Sequence, residues 1–221
     1  MIKVTYVDHM GSDLSVVNAA RVSFAKHKEV LDNVTVGDYT VRLALDNKDT
    51  KLINYLAKHK HTSPFGHAFA SFHVKAPVFV ARQLVKHKFL RWNEISRRYV
   101  DDEPEFYVPE VWRGRSADKK QGSEGTVQTF VSDWDTYNHS LKIYKDLLKD
   151  GVCPEQARMV LPQSTMTEWY WSGSLDAFAD MCRLRCASET QYETRVVADN
   201  INEKMATLFP VSWDALMQGE K

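Results

Sequence analysis

The chain has no surplus of charge of either sign, few cysteines and no long apolar run, and each shortage removes a class of function. Lys plus Arg and Asp plus Glu number 29 each in 221 residues, a formal net charge of +0. A neutral chain has no general electrostatic hold on DNA or on an anionic membrane, so any anion it binds must be met by local charge. The three cysteines, Cys153, Cys182 and Cys186, are odd in number and form no CxxC pair. That favours a reduced, intracellular compartment over a disulfide scaffold. No apolar stretch is long enough to span a bilayer, and the N-terminus lacks the apolar core of a signal peptide. These features imply a soluble cytoplasmic protein. No internal repeat and no Pro/Gly/Ser-rich linker divides the sequence, so residues 1–221 are expected to form a single domain around one core.

What positive charge there is gathers in residues 81–99, ARQLVKHKFLRWNEISRRY. Arg82, Lys86, Lys88, Arg91, Arg97, Arg98 and His87 stand there against one carboxylate, Glu94, with Gln83, Asn93, Ser96 and the Tyr99 hydroxyl between them. Such a mixture suits a ligand with phosphate at one end and a planar heterocycle at the other: cations hold the phosphate, and fixed amide, hydroxyl and carboxylate groups read a ring edge. The plain alternative is a solvated helix face. Against it stand the apolar residues 77–81 leading into the run and the Trp92-Asn93-Glu94 string within it.

Periodicity and punctuation predict the elements. A first strand covers residues 1–7, and Gly11-Ser12-Asp13 supplies a turn and N-cap for a helix through about Phe24. Residues 25–46, punctuated by Asn33 and Gly37, show no period and read as a loop. A helix over 49–59, with Leu52, Ile53, Tyr55 and Leu56 inward, runs into a His-rich turn set by Pro64 and Gly66. His59, His61, His67 and His73 could be read as metal ligands, but no acidic residue lies near them and HxH is a weak signal, so no metal is assigned. A half-buried strand over 68–75 precedes a helix over 78–86 with Pro77 at its first position. Residues 105–109 read as a short strand and 113–125 as an exposed loop. A long helix over 126–149 carries Val127, Phe130, Val131, Trp134, Tyr137, Leu141, Tyr144 and Leu148 at helical spacing. A short helix over 155–161 carries Arg158, residues 165–171 alternate as a strand, and Ser174 caps a helix over 175–186. Ser188-x-x-Gln191 has the form of a capping box opening a last helix that Pro210 ends near Phe209.

Several strings, in order, resemble the flavin-dependent thymidylate synthases. That family's RHRxxSxNExSxRY signature stands here as Lys86-His87-Lys88, seven residues, then Ser96, with Asn93, Glu94, Arg98 and Tyr99 in register. DLSVVNAARVSF, residues 61–67, EFYVP, CPEQARMVLP and SLDAFADMCRLR resemble further family segments, so the likeness covers nearly the whole chain except 25–46 and 113–125. The resemblance implies an α/β (α+β) fold with a central, mostly antiparallel sheet flanked by helices. It implies FAD contacts at Ser23, His61, Ser63, Lys86, His87, Lys88, Asn93, Glu94, Ser174 and Asp180. Contacts to deoxyuridylate (dUMP) are implied at Gln83, Lys86, Glu94, Ile95, Ser96, Arg97, Arg98 and Arg158. Arg185 is implied as the catalytic residue, contacting the uracil and favouring loss of its N3 proton. The resemblance also implies 5,10-methylenetetrahydrofolate and NADPH as co-substrates, and a homotetramer with sites shared between subunits.

Departures from the family pattern are local. Lysines replace both signature arginines and keep the charge without the bidentate fork, while Arg91 replaces a Ser. Gly66 removes a carboxylate from the His-rich turn, and Asp180 and Glu189 stand where relatives carry Asn and His. None of the three cysteines lies in a cationic setting that would make it a thiolate nucleophile. Ser96 has no identifiable activating base, so it is read as a binding residue. Rival readings are an altered flavin- and nucleotide-binding homologue, motivated by those departures, a His-rich metal hydrolase, and a nucleic-acid module stacking bases on Phe89, Trp92 and Tyr99.

Overall fold

A computed structural model describes residues 1–26, 34–36, 39–41, 45–117, 122–131 and 133–218. Strand β1 (Lys3–Met10) leads through Gly11 into α1 (Asp13–Arg21), a one-turn 3-10 segment (Val22–Phe24) and, further on, the short strands β2 (Val34–Val36) and β3 (Tyr39–Val41). Helix α2 (Asn47–Lys58) and the 3-10 turn Ser63–His67 precede β4 (Phe69–Pro77), α3 (Val78–Leu84) and β5 (Arg91–Glu94). There follow β6 (Trp112–Arg115), β7 (Ser123–Val127), α4 (Asp133–Lys149), α5 (Pro154–Ala157), β8 (Met166–Ser174), α6 (Leu175–Arg185), α7 (Tyr192–Leu208) and α8 (Pro210–Met217).

The main sheet has the order β1-β4-β8-β5 and is antiparallel at every pairing, as the resemblance implied. One face is apolar because alternate residues point one way. Ala70, Phe72, Val74 and Ala76 of β4 and Trp169 and Trp171 of β8 are all buried there. They join one apolar cluster with Val16 and Val17 of α1, Ile53 of α2, Phe178 and Met181 of α6, Val197, Ile201 and Met205 of α7 and Trp213 of α8. Each large side chain so buried is worth roughly 1.5–3 kcal/mol. On the other face the same strands carry polar pairs, His73 with Glu168 at 3.3 Å and Ser71 with Ser172 at 2.8 Å.

Two devices position the parts that matter for the site. Asp13, almost fully buried, accepts from the backbone N–H groups of Val211 (3.1 Å) and Ser212 (2.8 Å). It thereby satisfies the open first turn of α8 and ties residues 198 and more positions apart in sequence. The basic segment is fixed by β5, whose Trp92 stacks on Trp169 (centroids 4.3 Å apart, planes 18° from parallel). Just before β5 the chain crosses Gly173 so closely that a Cβ there would lie 2.3 Å from Leu90 Cδ2 and 3.3 Å from the Phe89 carbonyl oxygen. Glycine favours that approach, since a larger residue would push the Leu90 side chain aside and crowd the Phe89 carbonyl.

Several expectations need correction. The 126–149 helix begins only at Asp133, and Ser123–Val127 is a strand paired with Trp112–Arg115, so the expected exposed loop is largely a hairpin. Gly114 lets that hairpin close, since a Cβ there would lie 2.7 Å from the Glu124 carbonyl oxygen. Its residues 118–121 lie outside the described residues. Val127, Phe130 and Val131 therefore precede the helix, and they and Trp134 on its first turn are all exposed. Part of the expected 25–46 loop is the β2–β3 hairpin; the rest of 27–44, with Asn33 and Gly37, lies outside the described residues. Tyr55 is turned outward against His59 rather than inward, and Pro77 is the N-cap of α3 rather than its first residue. The helix expected to end near Phe209 does so, α7 closing at Leu208, but it is not the last: Pro210 starts α8, where its missing N–H costs nothing. No capping box forms at Ser188: α7 starts at Tyr192 with Gln191 as N-cap, because the Gln191 amide is taken by Gln83 (2.5 Å).

Candidate active site

A cavity of about 940 Å³ lies between α3, the 107–113 segment and the loop joining α6 to α7. Phe79, Tyr107, Trp112 and Tyr137 give it aromatic walls, and Gln83, Arg185 and Gln191 give it hydrogen-bonding groups. Arg185 is the last residue of α6 and is half-buried. Its Nε donates to His87 Nε2 at 3.0 Å, and its Nη2 donates to the Gln83 carbonyl oxygen at 3.4 Å. The His87 ring must accept from a permanent cation, so that nitrogen is unprotonated. Burial, and then the Arg185 charge, push the His87 pKa down to about 4 from 6.5. Burial likewise lowers that of Arg185 from its ordinary value.

The sign of the His87 shift sets a pH dependence. A folded-state pKa below the unfolded one means stability that is complete above about pH 6.5 and is lost as pH falls towards 4. The imidazole is only half-buried, so solvent screening reduces the effect to about 1 kcal/mol. Urea titrations at pH 7 and pH 4.5 should show the native chain losing about that much more stability than His87→Phe. Equal losses would mean that the ring is not held neutral.

A second cluster on the same wall was not anticipated. Glu193, 3 % exposed, accepts from Arg113 Nη2 at 2.5 Å and from the Tyr107 hydroxyl at 3.3 Å, both on Oε1. The Arg113 guanidinium lies 4.7 Å from the centre of the Tyr192 ring, and its Nε donates to Ser123 Oγ at 3.0 Å. Burial, followed by the Glu193 charge, pushes the Tyr107 phenol up to about 12, so it stays a donor. A sequence signal for Glu193 existed. It shares the helical phase of Val197 and Ile201, and a carboxylate inside an apolar stripe requires a cation.

Of the residues expected from sequence, Gln83 and Arg185 line this cavity, with His87 behind them. The others lie elsewhere on the chain. Ser23, His61, Ser63, Lys86, Lys88 and Asn93 are exposed, and their side chains make no hydrogen bond among the described residues. Glu94 accepts from Thr167 Oγ1 (2.7 Å) and Trp92 Nε1 (3.0 Å), while Ile95 is partly exposed next to it. Ser96 Oγ accepts weakly from the Arg98 backbone and guanidinium (3.4 Å each), Arg98 lies 4.9 Å from the Tyr99 ring centre, and Arg97 donates to the Asp102 carbonyl oxygen (2.8 Å). Arg158 is exposed and donates to the Glu155 carbonyl oxygen (3.3 Å). Two expected flavin contacts are engaged within the chain: Asp180 with Arg183, and Ser174, whose hydroxyl donates to Asp176 (2.5 Å). Trp92 is stacked inside the fold, so of the three aromatic platforms required by a nucleic-acid reading just Phe89 and Tyr99 are presented to solvent. Among the described residues no three or more His, Cys, Asp or Glu side chains converge as a metal site.

A sequence model of the thymidylate synthase complementing protein family matches residues 5–211. The chain belongs to that family. Among curated family members it is 40 % identical to a flavin-dependent thymidylate synthase of Thermus thermophilus over 215 residues, 96 % of this chain and 74 % of that one. It is 37 % identical to the enzyme of the same description from Kosmotoga olearia, over 97 % of this chain and 89 % of that one. The crystal structure of a UMP/dUMP methylase, PolB from Streptomyces cacaoi, bound with 5-Br dUMP superposes with a TM-score of 0.80 at 32 % identity, covering 99 % and 95 % of the two chains. The match runs from β1 to α8, so the corrected hairpin and the Arg113–Glu193 cluster fall within the family's extent. No helix among the described residues is long and apolar enough to cross a membrane.

Proposed function

We propose that this chain, as one domain spanning residues 1–221, converts dUMP to dTMP. Methylenetetrahydrofolate donates the carbon and NADPH the electrons: dUMP, methylenetetrahydrofolate, NADPH and a proton give dTMP, tetrahydrofolate and NADP⁺. The observation that carries the reading is the placement of Arg185. Its guanidinium stands on the wall of a cavity large enough for a nucleotide, beside Gln83, in a protein alike along its length to thymidylate synthases. There it stabilises the uracil anion as N3 loses its proton, an electrostatic contribution in a partly desolvated site. Gln83, Arg98, Arg158, Lys86 and the 94–97 segment hold the nucleotide.

A bound FAD would supply redox chemistry, carrying electrons from NADPH to the one-carbon unit as hydride. The donor set fits it. Among the described residues Lys86 and Lys88 keep uncommitted ammonium groups, and Ser23, His61, Ser63 and Asn93 keep side chains without hydrogen bonds. His87 and Glu94 complete the set, whereas Ser174 and Asp180 would have to exchange their present partners to contribute. We assign the protein to a homotetramer whose sites combine residues of different subunits. Support comes from the spread of the expected ligands beyond one cavity and from the exposed Phe130, Val131 and Trp134. A cytoplasmic location fits three free cysteines. A monomer by light scattering would contradict the shared site.

The visible spectrum of the purified protein tests the reading first. Flavin absorbance should bleach with NADPH, faster when dUMP is present, and dTMP should form once methylenetetrahydrofolate is added. A flavin spectrum indifferent to NADPH would favour the altered-homologue reading, and a protein that cannot be reconstituted with FAD would defeat both. Lys86→Arg and Lys88→Arg should leave turnover unchanged or raise it by about twofold, because each restores a bidentate fork without altering charge. A large loss in both would show that Arg91 has reshaped the contact.

A further inference from the structure

The sequence assigned His87 to the flavin alone, yet its Nε2 accepts from Arg185 Nε at 3.0 Å. We infer that His87 is a positioning residue that holds the Arg185 guanidinium against the cavity wall through an unprotonated Nε2. The inference rests on the nucleotide role of Arg185 proposed above. Two bonds fix the guanidinium from behind, Nε to His87 and Nη2 to the Gln83 carbonyl oxygen, leaving Nη1 and the second Nη2 hydrogen for a ligand. A guanidinium is planar, so fixing Nε and one Nη2 hydrogen fixes the plane in which the remaining donors point. Without His87 the side chain would regain its rotamers and would have to be ordered again by each nucleotide. The bond also dictates the tautomer. With Nε2 accepting, the ring proton sits on Nδ1, so any flavin contact of His87 is a donation from Nδ1–H. A flavin contact through Nδ1–H would then give the two ring nitrogens opposite hydrogen-bonding roles.

The test uses the FAD-loaded enzyme and two substitutions. His87→Phe keeps a planar ring without an acceptor, and His87→Gln offers an amide oxygen near the former Nε2 position. Calorimetric titration with dUMP should show about fivefold weaker binding to His87→Phe, the scale of one hydrogen bond to a charged group used indirectly. His87→Gln should bind within about twofold of the native enzyme, all three proteins being compared at equal FAD occupancy measured by absorbance. In ¹⁵N-arginine-labelled protein the Arg185 Nε–H resonance should move in His87→Phe and return towards its native position in His87→Gln. Adding His87→Phe to Arg185→Ala should weaken dUMP binding no further.

Native dUMP affinity in His87→Phe at equal FAD occupancy would overturn the inference. So would a further loss in the double variant. If Arg185→Ala itself leaves dUMP binding unchanged, the nucleotide role of Arg185 fails, while the resonance still decides whether His87 holds it. Should His87→Phe not fold, the native imidazole ¹⁵N shifts decide: an Nδ1–H neutral ring supports the inference, and an Nε2–H ring overturns it.

Discussion

Replacing Arg113 by methionine should lower the unfolding free energy by about 3 kcal/mol, the low end for breaking a buried ion pair. Glu193 is 3 % exposed, and its second oxygen has no hydrogen-bond partner among the described residues, so Arg113 supplies most of its compensation. The Tyr107 hydroxyl at 3.3 Å is too long and too weakly polar to replace a guanidinium at 2.5 Å. Methionine fills similar volume, so the loss reports the uncompensated carboxylate more than a cavity. Arg113 keeps some exposure, which is why the upper end of the range is not expected. The double variant Arg113→Met with Glu193→Gln should recover at least half of the loss, because a neutral amide is cheaper to bury than an unpaired charge. Urea unfolding followed by tryptophan fluorescence at fixed protein concentration measures both, concentration being held because assembly would shift apparent stability. A loss under 1 kcal/mol would mean that water reaches Glu193. Since this pair joins the β6–β7 hairpin to α7 across the cavity wall, its rupture should also weaken nucleotide binding.

The sheet was legible because its signal is local. Thr167, Trp169 and Trp171 alternate with polar residues, and strand alternation needs no knowledge of the partner strand. The hairpin at 112–127 was not, because Gly, Ser and Lys in its sequence carry the composition of a loop and its pairing depends on close backbone approach at Gly114. The helix expected to start at Thr126 failed for a related reason. Phe130, Val131 and Trp134 repeat at helical spacing, but periodicity reports an apolar face and cannot say whether that face meets the fold or another molecule. At the site, Arg185 and Gln83 were found through family strings, and the structure brings them to one wall although they are 102 positions apart. The bonds from Arg185 to His87 and to the Gln83 carbonyl were invisible: a tertiary hydrogen bond between two sequence-distant residues leaves no periodic trace. Gln191 shows the opposite error, where a plausible local role in a capping box gave way to a tertiary bond with Gln83.

Arg185→Ala should reduce dTMP formation by tenfold to about a hundredfold while flavin content stays at the native level. A hydrogen bond to a charged group is worth roughly 1.5–3 kcal/mol, and the charge here acts on the developing uracil anion, so the loss should fall mainly on kcat. Arg185→Lys should recover little. The guanidinium spends Nε on His87 and an Nη2 hydrogen on the Gln83 carbonyl and still presents donors to the cavity. A lysine ammonium is a single point that cannot occupy both positions, and near His87 it would be drawn back from the substrate. Steady-state kinetics of both variants, with FAD measured by absorbance in the same samples, separates the two sources of loss. A fall in kcat at full flavin occupancy places Arg185 at the uracil; a fall that tracks lost flavin makes it a structural support of the cofactor site. Unchanged turnover in Arg185→Ala would remove it from the mechanism, and the ionisation of the uracil would then have to be favoured by a cation from another subunit.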